Sequence, residues 1–332
     1  MAIIVSLLSK DKFETAGAKV PDGWSIRFLN STTDDDIIKA CRGADCLFST
    51  ATTGYVGRQV IENIPDIKIL QTVGAGFDHV DIPVTIRQGI PVANVPGANA
   101  TTVAEYTIGV IIALQRRILE ADDEVKQGNY LAFRNSSLQK GLKEIRGSKL
   151  GLVGFGAIGR EVAKIAVLLG ASVSYFASHR LSPDVETQYS VKYEPFESLL
   201  STSDIVSLHV PLNDSTRGFI GLQEMMLMAP GSILVNTARG EVVQQAALAE
   251  CLERGHLTGA AIDTIAPEPP GSRHPLLQLS PLAKKRLLLT PHIAGATAKS
   301  FKRMIETAMD NIGRAVRGEI PENIVNGIVK RR

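Results

Sequence analysis

Short runs of apolar residues recur along the chain at 1–8, 46–49, 69–73, 91–95, 150–153, 172–176, 205–210, 232–236 and 287–290, and the stretches between them show helical spacing. Uninterrupted apolar runs of this length mark strands buried on both faces, as in parallel sheets covered by helices. The alternation predicts a doubly wound α/β architecture. Between the fourth and fifth runs, Val103, Tyr106, Thr107, Val110, Ile111 and Leu114 recur at three- and four-residue steps, which predicts one long helix over 101–127 ending at Gly128-Asn129. After Pro291, the residues Phe301, Met304, Ile305, Ala308, Ile312 and Val316 repeat in the same way, which predicts a helix over 298–316. A terminal helix of that kind needs a sheet to cover. The simplest arrangement is a discontinuous outer domain, 1–100 plus 295–332, around an inserted domain over 101–294, with no internal repeat.

Composition narrows the function classes. At 332 residues with 29 glycines and 16 prolines, the chain suits two globular domains. Thirty-six Lys plus Arg against 34 Asp plus Glu leave a formal charge of +2 without a block of like charge, which argues against a nucleic-acid partner. Cys41, Cys46 and Cys251 form no C-x-x-C pair, so neither a disulfide framework nor a zinc cage is expected, and a reducing compartment, the cytoplasm, fits best. The first apolar run lacks a basic lead and no run reaches about 18 residues, so neither a signal peptide nor a membrane span is expected. No histidine shows metal-ligand spacing; His79 and His209 read as structural, His256 and His274 as loop residues.

The run at 150–153 leads directly into Gly154-Phe155-Gly156-Ala157-Ile158-Gly159 and then a helical stretch. Strand, tight turn and helix in that order form a dinucleotide fingerprint: Gly154 for the turn, Gly156 for approach of the pyrophosphate, Gly159 for close helix–strand packing. The helix start at Ala157 and Ile158 offers unpaired N–H groups to phosphate. An NAD site usually adds an acidic residue about 20 positions on, for the ribose hydroxyls. Here Ala177 stands in that place, followed by Ser178, His179 and Arg180. Loss of the carboxylate removes repulsion, and those three side chains suit a 2′-phosphate, so NADP(H) is the expected cofactor, with NAD(H) as the alternative.

Three further segments end apolar runs on polar residues: 233–240 on Arg239, 259–269 on Asp263 and Glu268, and 287–295 on His292. At these residues the chain resembles the D-isomer-specific 2-hydroxyacid dehydrogenase family. The resemblance covers nearly the whole chain and includes 73–81 (VGAGFDHVD), 103–105 (VAE), the glycine fingerprint, 209–212 (HVPL), 236–240 (NTARG), Asp263 with Glu268-Pro269, and 291–295 (PHIAG). It implies a Rossmann coenzyme domain inserted into a flavodoxin-like substrate domain, and an enzyme that moves a hydride between NAD(P) and a small 2-keto or 2-hydroxy acid. By the same resemblance His292 is the acid/base, Glu268 its carboxylate partner, and Arg239 the clamp for the substrate carboxylate. The turn at Ala75 and Gly76 would present backbone N–H groups to that carboxylate. Val103, Val210, Pro211, Thr237, Ala238, Arg239, Asp263, His292 and Gly295 would line the cofactor, with Asp263 capping a turn as its alternative role.

The family pattern is not matched throughout. Gln244-Gln245 stands where an acidic pair is often seen, Ile265-Ala266 replaces an aromatic and an acid, and 271–286 is longer than usual. The loop 49–55 offers small hydroxyls and no arginine, which disfavours a phosphorylated or second carboxylate group on the substrate. A competing reading is a nucleotide-sensing, corepressor-like binding protein on the same fold. The resemblance also implies a homodimer.

Overall fold

The computed structural model describes residues 2–30, 33–51 and 54–331. Met1, at the head of the first apolar run, and Thr52 and Thr53, in the 49–55 loop, lie outside the described residues. The chain divides into two compact units, Met1–Asn99 with Ala296–Arg332, and Ala100–Gly295. Ala100 and Gly295, assigned above to the outer domain, therefore group with the inserted one.

The first unit holds five parallel strands: β1 (Ile3–Ser6), β2 (Ser25–Phe28), β3 (Cys46–Ser49), β4 (Ile69–Thr72) and β5 (Val92–Ala93), in spatial order β2-β1-β3-β4-β5. This is the flavodoxin-like winding. Successive side chains of a strand point to opposite faces. Ile4, Cys46, Phe48 and Ile69 therefore meet Phe13 of helix Lys10–Ala16 and Met304, Ile305, Ala308 and Ile312 of helix Ala298–Arg317. On the other face Val5, Leu47 and Leu70 meet Ile37, Val60, Ile61 and Val84. The terminal helix opens on Thr297, whose Oγ1 accepts the Ser300 N–H at 3.1 Å, and closes on Gly318 in the left-handed region, φ 77.

The second unit is an all-parallel sheet of β6 (Lys149–Val153), β7 (Ser172–Phe176), β8 (Val191–Tyr193), β9 (Ile205–Leu208), β10 (Ile233–Asn236), β11 (Gly259–Ile262) and β12 (Leu287–Leu289). Their order is β12-β11-β10-β9-β6-β7-β8, the Rossmann winding with β12 added at one edge. The order in which strands are added reverses between β6 and β9, the switch point where ligands bind in such folds.

The single helix expected over 101–127 is not observed. Helix Ala100–Gln115 stops where its apolar repeat stops, and Arg117 takes a left-handed backbone, φ 52, before helices Ile118–Lys126 and Tyr130–Lys140. Burial explains the break. Ala104, Ile108 and Ile111 pack against Val162, Ala163 and Ala166 of helix Ala157–Leu168. In the two later helices only Ser137 is buried, so no core contact forces them to continue the first. Arg117 Nη2 instead pairs with Glu120 at 2.7 Å, and the guanidinium lies over the Phe133 ring.

The stretch 271–286, which reads from sequence as an extended loop, carries a 3-10 turn (Pro275–Leu277) and a short helix (Pro281–Lys284). Leu276, Leu279 and Ala283 anchor both in the core of the second unit. Among the described residues no helix is long and apolar enough to cross a membrane. Cys41, Cys46 and Cys251 are buried and free.

Candidate active site

The glycine fingerprint occupies the turn between β6 and helix Ala157–Leu168, at the switch point of the sheet. Its three glycines have distinct reasons to be there. Gly154 has φ 97, and a Cβ on it would lie 2.4 Å from the His209 carbonyl oxygen. At Gly159 a Cβ would lie 2.5 Å from the Gly154 carbonyl oxygen, so the helix could not approach the turn. Gly156 is different. A Cβ there meets nothing within 4 Å, and no side chain caps the helix at this residue. The protein itself does not require that glycine, but a phosphate resting on the helix N-terminus does. The cradle thus fits the pyrophosphate of a nicotinamide dinucleotide.

His209 lies beside this cradle without chemistry of its own. Its ring nitrogen Nε2 is 2.9 Å from Ser207 Oγ, and burial pushes the imidazole down to about 3, so it stays neutral at physiological pH. Val210 is half-buried next to Gly154, and Pro211 is exposed.

Past β7, Ser178, His179 and Arg180 are exposed, and Ser178 Oγ lies 3.3 Å from His179 Nδ1. Arg180 already has a partner. Its Nε and Nη2 donate to the two carboxylate oxygens of Glu186, both at 2.9 Å, and the Tyr175 hydroxyl donates to Glu186 Oε1 at 2.9 Å. The guanidinium holds the Glu186 carboxyl below the usual carboxylate range. Nη1 is outside that pair. Sequence reasoning did not anticipate Glu186, since nothing marks an acid in the first turn of helix Pro183–Tyr189, six residues on, as a partner.

Arg239, Glu268 and His292 all belong to the second unit and leave the carboxyl ends of neighbouring strands β10, β11 and β12. Arg239 is half-buried; its Nη1 donates to the Ala238 carbonyl at 2.8 Å. Asn236 shapes the turn around it, donating from Nδ2 to the Arg239 carbonyl (2.7 Å) and accepting the Ala238 N–H on Oδ1 (3.0 Å). Thr237 and Ala238 are buried beneath, with Thr237 Oγ1 3.3 Å from Thr107 Oγ1. Val103, one helical turn earlier, is buried and its carbonyl accepts the Thr107 hydroxyl.

His292 has a positive φ of 54, uncommon for any residue but glycine. Two sets of bonds hold it there. Its own N–H donates to the Asp263 carbonyl at 2.7 Å. The Asp263 carboxylate, 2% exposed, accepts the N–H groups of Ile293 (3.0 Å) and Ala294 (2.9 Å) and the Thr290 hydroxyl (2.7 Å). Thr290 in turn accepts the Tyr106 hydroxyl at 2.7 Å. Asp263 thus caps the His292 turn. Gly295 closes the same segment, half-exposed. His292 Nδ1 lies 3.0 Å from Glu268 Oε2, with the two side chains 28% and 34% exposed, so the pair is open to a small reactant but not bathed in solvent. A carboxylate on one ring nitrogen orients the other for proton transfer.

In the first unit, Gly74, Ala75 and Gly76 form the turn after β4. The Gly74 carbonyl accepts Thr72 Oγ1 (2.8 Å) and the Val95 N–H (3.0 Å), and the Ala75 carbonyl accepts Asn94 Nδ2 (2.7 Å), so the turn's oxygens are tied down. His79 is buried, with Nε2 3.0 Å from Ser49 Oγ.

A family model described as D-isomer specific 2-hydroxyacid dehydrogenase, NAD binding domain, matches residues 108–294. The chain is 36% identical over 295 residues to a glyoxylate reductase of Aeropyrum pernix, covering 88% of this chain and 86% of that protein. It is 37% identical over 290 residues to a glyoxylate reductase of Korarchaeum cryptofilum, covering 87% and 85%. Among solved structures it resembles a D-lactate dehydrogenase from Aquifex aeolicus, complexed with NAD and lactic acid, with a TM-score of 0.84 at 25% identity over 98% of this chain and 99% of that one. Fold, cradle and sequence agree, and the chain belongs to the D-isomer specific 2-hydroxyacid dehydrogenase family of oxidoreductases.

Proposed function

We propose that the protein reduces a small 2-keto acid, glyoxylate or hydroxypyruvate, with NADPH as the preferred cofactor and His292 as the proton donor. The observation that carries this reading is the 3.0 Å contact of His292 Nδ1 with Glu268 on a turn held at positive φ. Substrate class is supported by the names of the relatives in Aeropyrum and Korarchaeum. When bound, a reduced nicotinamide supplies the hydride to the carbonyl carbon. The rest falls to the chain. Glu268 accepts a hydrogen bond from Nδ1 and orients the ring; Nε2 gives its proton to the carbonyl oxygen as the alcohol forms. Arg239 holds the substrate carboxylate with its planar fork, and the Ala75 and Gly76 amides are assigned to the same carboxylate by their motif. Oxidation of the hydroxy acid runs the same proton path in reverse.

The cofactor preference rests on Ala177 in place of an acid and on Arg180, whose Nη1 remains outside the Glu186 pair. Rates with NADPH and NADH across glyoxylate, hydroxypyruvate, pyruvate, longer 2-keto acids and a phosphorylated 2-keto acid test cofactor and substrate together. The wild type is expected to favour NADPH and an unphosphorylated acid. Arg180→Ser is expected to lower kcat/KM for NADPH relative to NADH by about tenfold, the size of one charge-assisted hydrogen bond. A wild-type preference for NADH, or a ratio unmoved in Arg180→Ser, rejects the cofactor assignment; preference for the phosphorylated acid rejects the substrate.

A homodimer belongs to the same proposal. Ile118, Leu119, Val125, Tyr130, Leu131 and Leu138 are all exposed on the two helices after Arg117, an apolar density that solvent does not favour. Sedimentation is expected to give twice the chain mass, and a monomer at micromolar concentration would count against it. Three buried free cysteines support a reducing compartment, the cytoplasm.

A further inference from the structure

The segment that carries Glu268 has few anchors of its own. Pro267 and Pro269 flank the glutamate, and neither has an N–H to donate. Its position is therefore set by what grips the residues before it. On one side Gly240, next to Arg239, lies so close to the backbone of Ile265 and Ala266 that a Cβ would fall 2.6 Å from the Ile265 carbonyl carbon. On the other side is His274.

The His274 ring is buried, and its two nitrogens do different things. Nδ1 accepts the Leu276 N–H at 3.3 Å, so the hydrogen of the neutral ring lies on Nε2. Nε2 then donates to the Ala266 carbonyl at 3.0 Å. His274 is itself fixed: its N–H donates to the Gly271 carbonyl at 2.9 Å, and Leu276, two residues on, is 1% exposed in the core with Leu248 and Leu252. A short chain of bonds therefore runs from that core to the carbonyl two residues before Glu268.

We infer that His274 is a positioning residue for the proton-donating pair: by holding the Ala266 carbonyl, its Nε2–H sets where the Glu268 carboxylate meets His292 Nδ1. The inference rests on the proposal that His292 is the acid. The test measures kcat, KM and NADPH affinity as a function of pH for the wild type, Glu268→Gln, His274→Leu, His274→Asn, His274→Gln and the double variant Glu268→Gln/His274→Leu.

Loss of the carboxylate removes the partner that orients the ring, so Glu268→Gln is expected to lose kcat and to change the pH profile of reductase activity. His274→Leu is expected to do the same in weaker form. A small misplacement of a reacting group costs about 10–100-fold in kcat. NADPH affinity should stay within about twofold, because the cradle is elsewhere. His274→Asn keeps an acceptor for Leu276 but falls short of Ala266, and is expected to behave like His274→Leu; it serves if the leucine variant does not fold. The longer amide of His274→Gln reaches the carbonyl and should recover kcat to within about threefold. Since His274 acts through Glu268, the double variant should be no slower than Glu268→Gln alone.

Three outcomes overturn the inference: an unchanged kcat and pH profile in His274→Leu or His274→Asn while Glu268→Gln changes both, fully additive losses in the double variant, or no recovery in His274→Gln. If Glu268→Gln itself changes neither kcat nor the pH profile, the acid–base assignment fails first and the inference falls with it.

Discussion

Substituting His292 by alanine is expected to lower keto acid turnover by about 10²–10⁴-fold, the range over which a positioned general acid contributes. NADPH affinity should change by less than about threefold, because the glycine turn assigned to the pyrophosphate lies after β6 and the histidine after β12, four positions away in the sheet order. Water can replace the lost proton donor only without its orientation or its readiness. The fold should tolerate the change. Alanine at φ 54 is strained by about 1–2 kcal/mol, yet the Asp263 cap on Ile293 and Ala294 does not involve the imidazole. Retention of more than about a tenth of the wild-type rate, with the cofactor still bound, would reject His292 as the acid.

The two glycines at the phosphate turn should respond in opposite ways. Gly154→Ala puts a methyl group 2.4 Å from the His209 carbonyl oxygen and 2.7 Å from its carbon on a backbone of φ 97, and these two nearest atoms are main chain that cannot step aside. Overpacking plus a left-handed backbone costs about 3 kcal/mol, or roughly 5–10 °C in Tm for a unit of this size. Gly156→Ala meets open space and should leave Tm unchanged within about 1 °C, while cofactor affinity falls about tenfold or more because the methyl group stands in the phosphate's place. Thermal melts alongside cofactor titrations separate the two effects. A destabilised Gly156→Ala, or one that binds cofactor normally, would mean the open face at this glycine is not the pyrophosphate seat.

The interior of both sheets was legible because strands covered on two faces are buried along their whole length, as β3, β4, β9 and β10 are, and so carry mostly apolar residues. At the edge strands β2 and β8 the signal fails. β2 exposes Ser25 and Arg27, and β8 exposes Lys192, so neither stands out from a polar loop. The break at Arg117 was hidden for another reason: the residues after it have helix-forming composition, and only the loss of core contacts ends the axis there. For the site, the residues themselves were legible in their strand-end segments. What holds them was not, because Thr290 to Asp263, His274 to Ala266 and Arg180 to Glu186 are bonds between side chains and partners that no local pattern couples.

The bond from the Tyr106 hydroxyl to Thr290 spans 184 residues, and Thr290 then reaches Asp263 across 27 more. The phosphate turn, by contrast, is completed largely within one strand-turn-helix-strand unit, with the Gly154 N–H on the Phe176 carbonyl. Closing a long loop costs chain entropy that only later contacts return, so contacts near in sequence form first and distant ones last. By that argument the nucleotide cradle is expected to take shape ahead of the histidine turn during folding, so that a chain stalled before helix Ala100–Gln115 docks would hold a place for the cofactor before it had a proton to give.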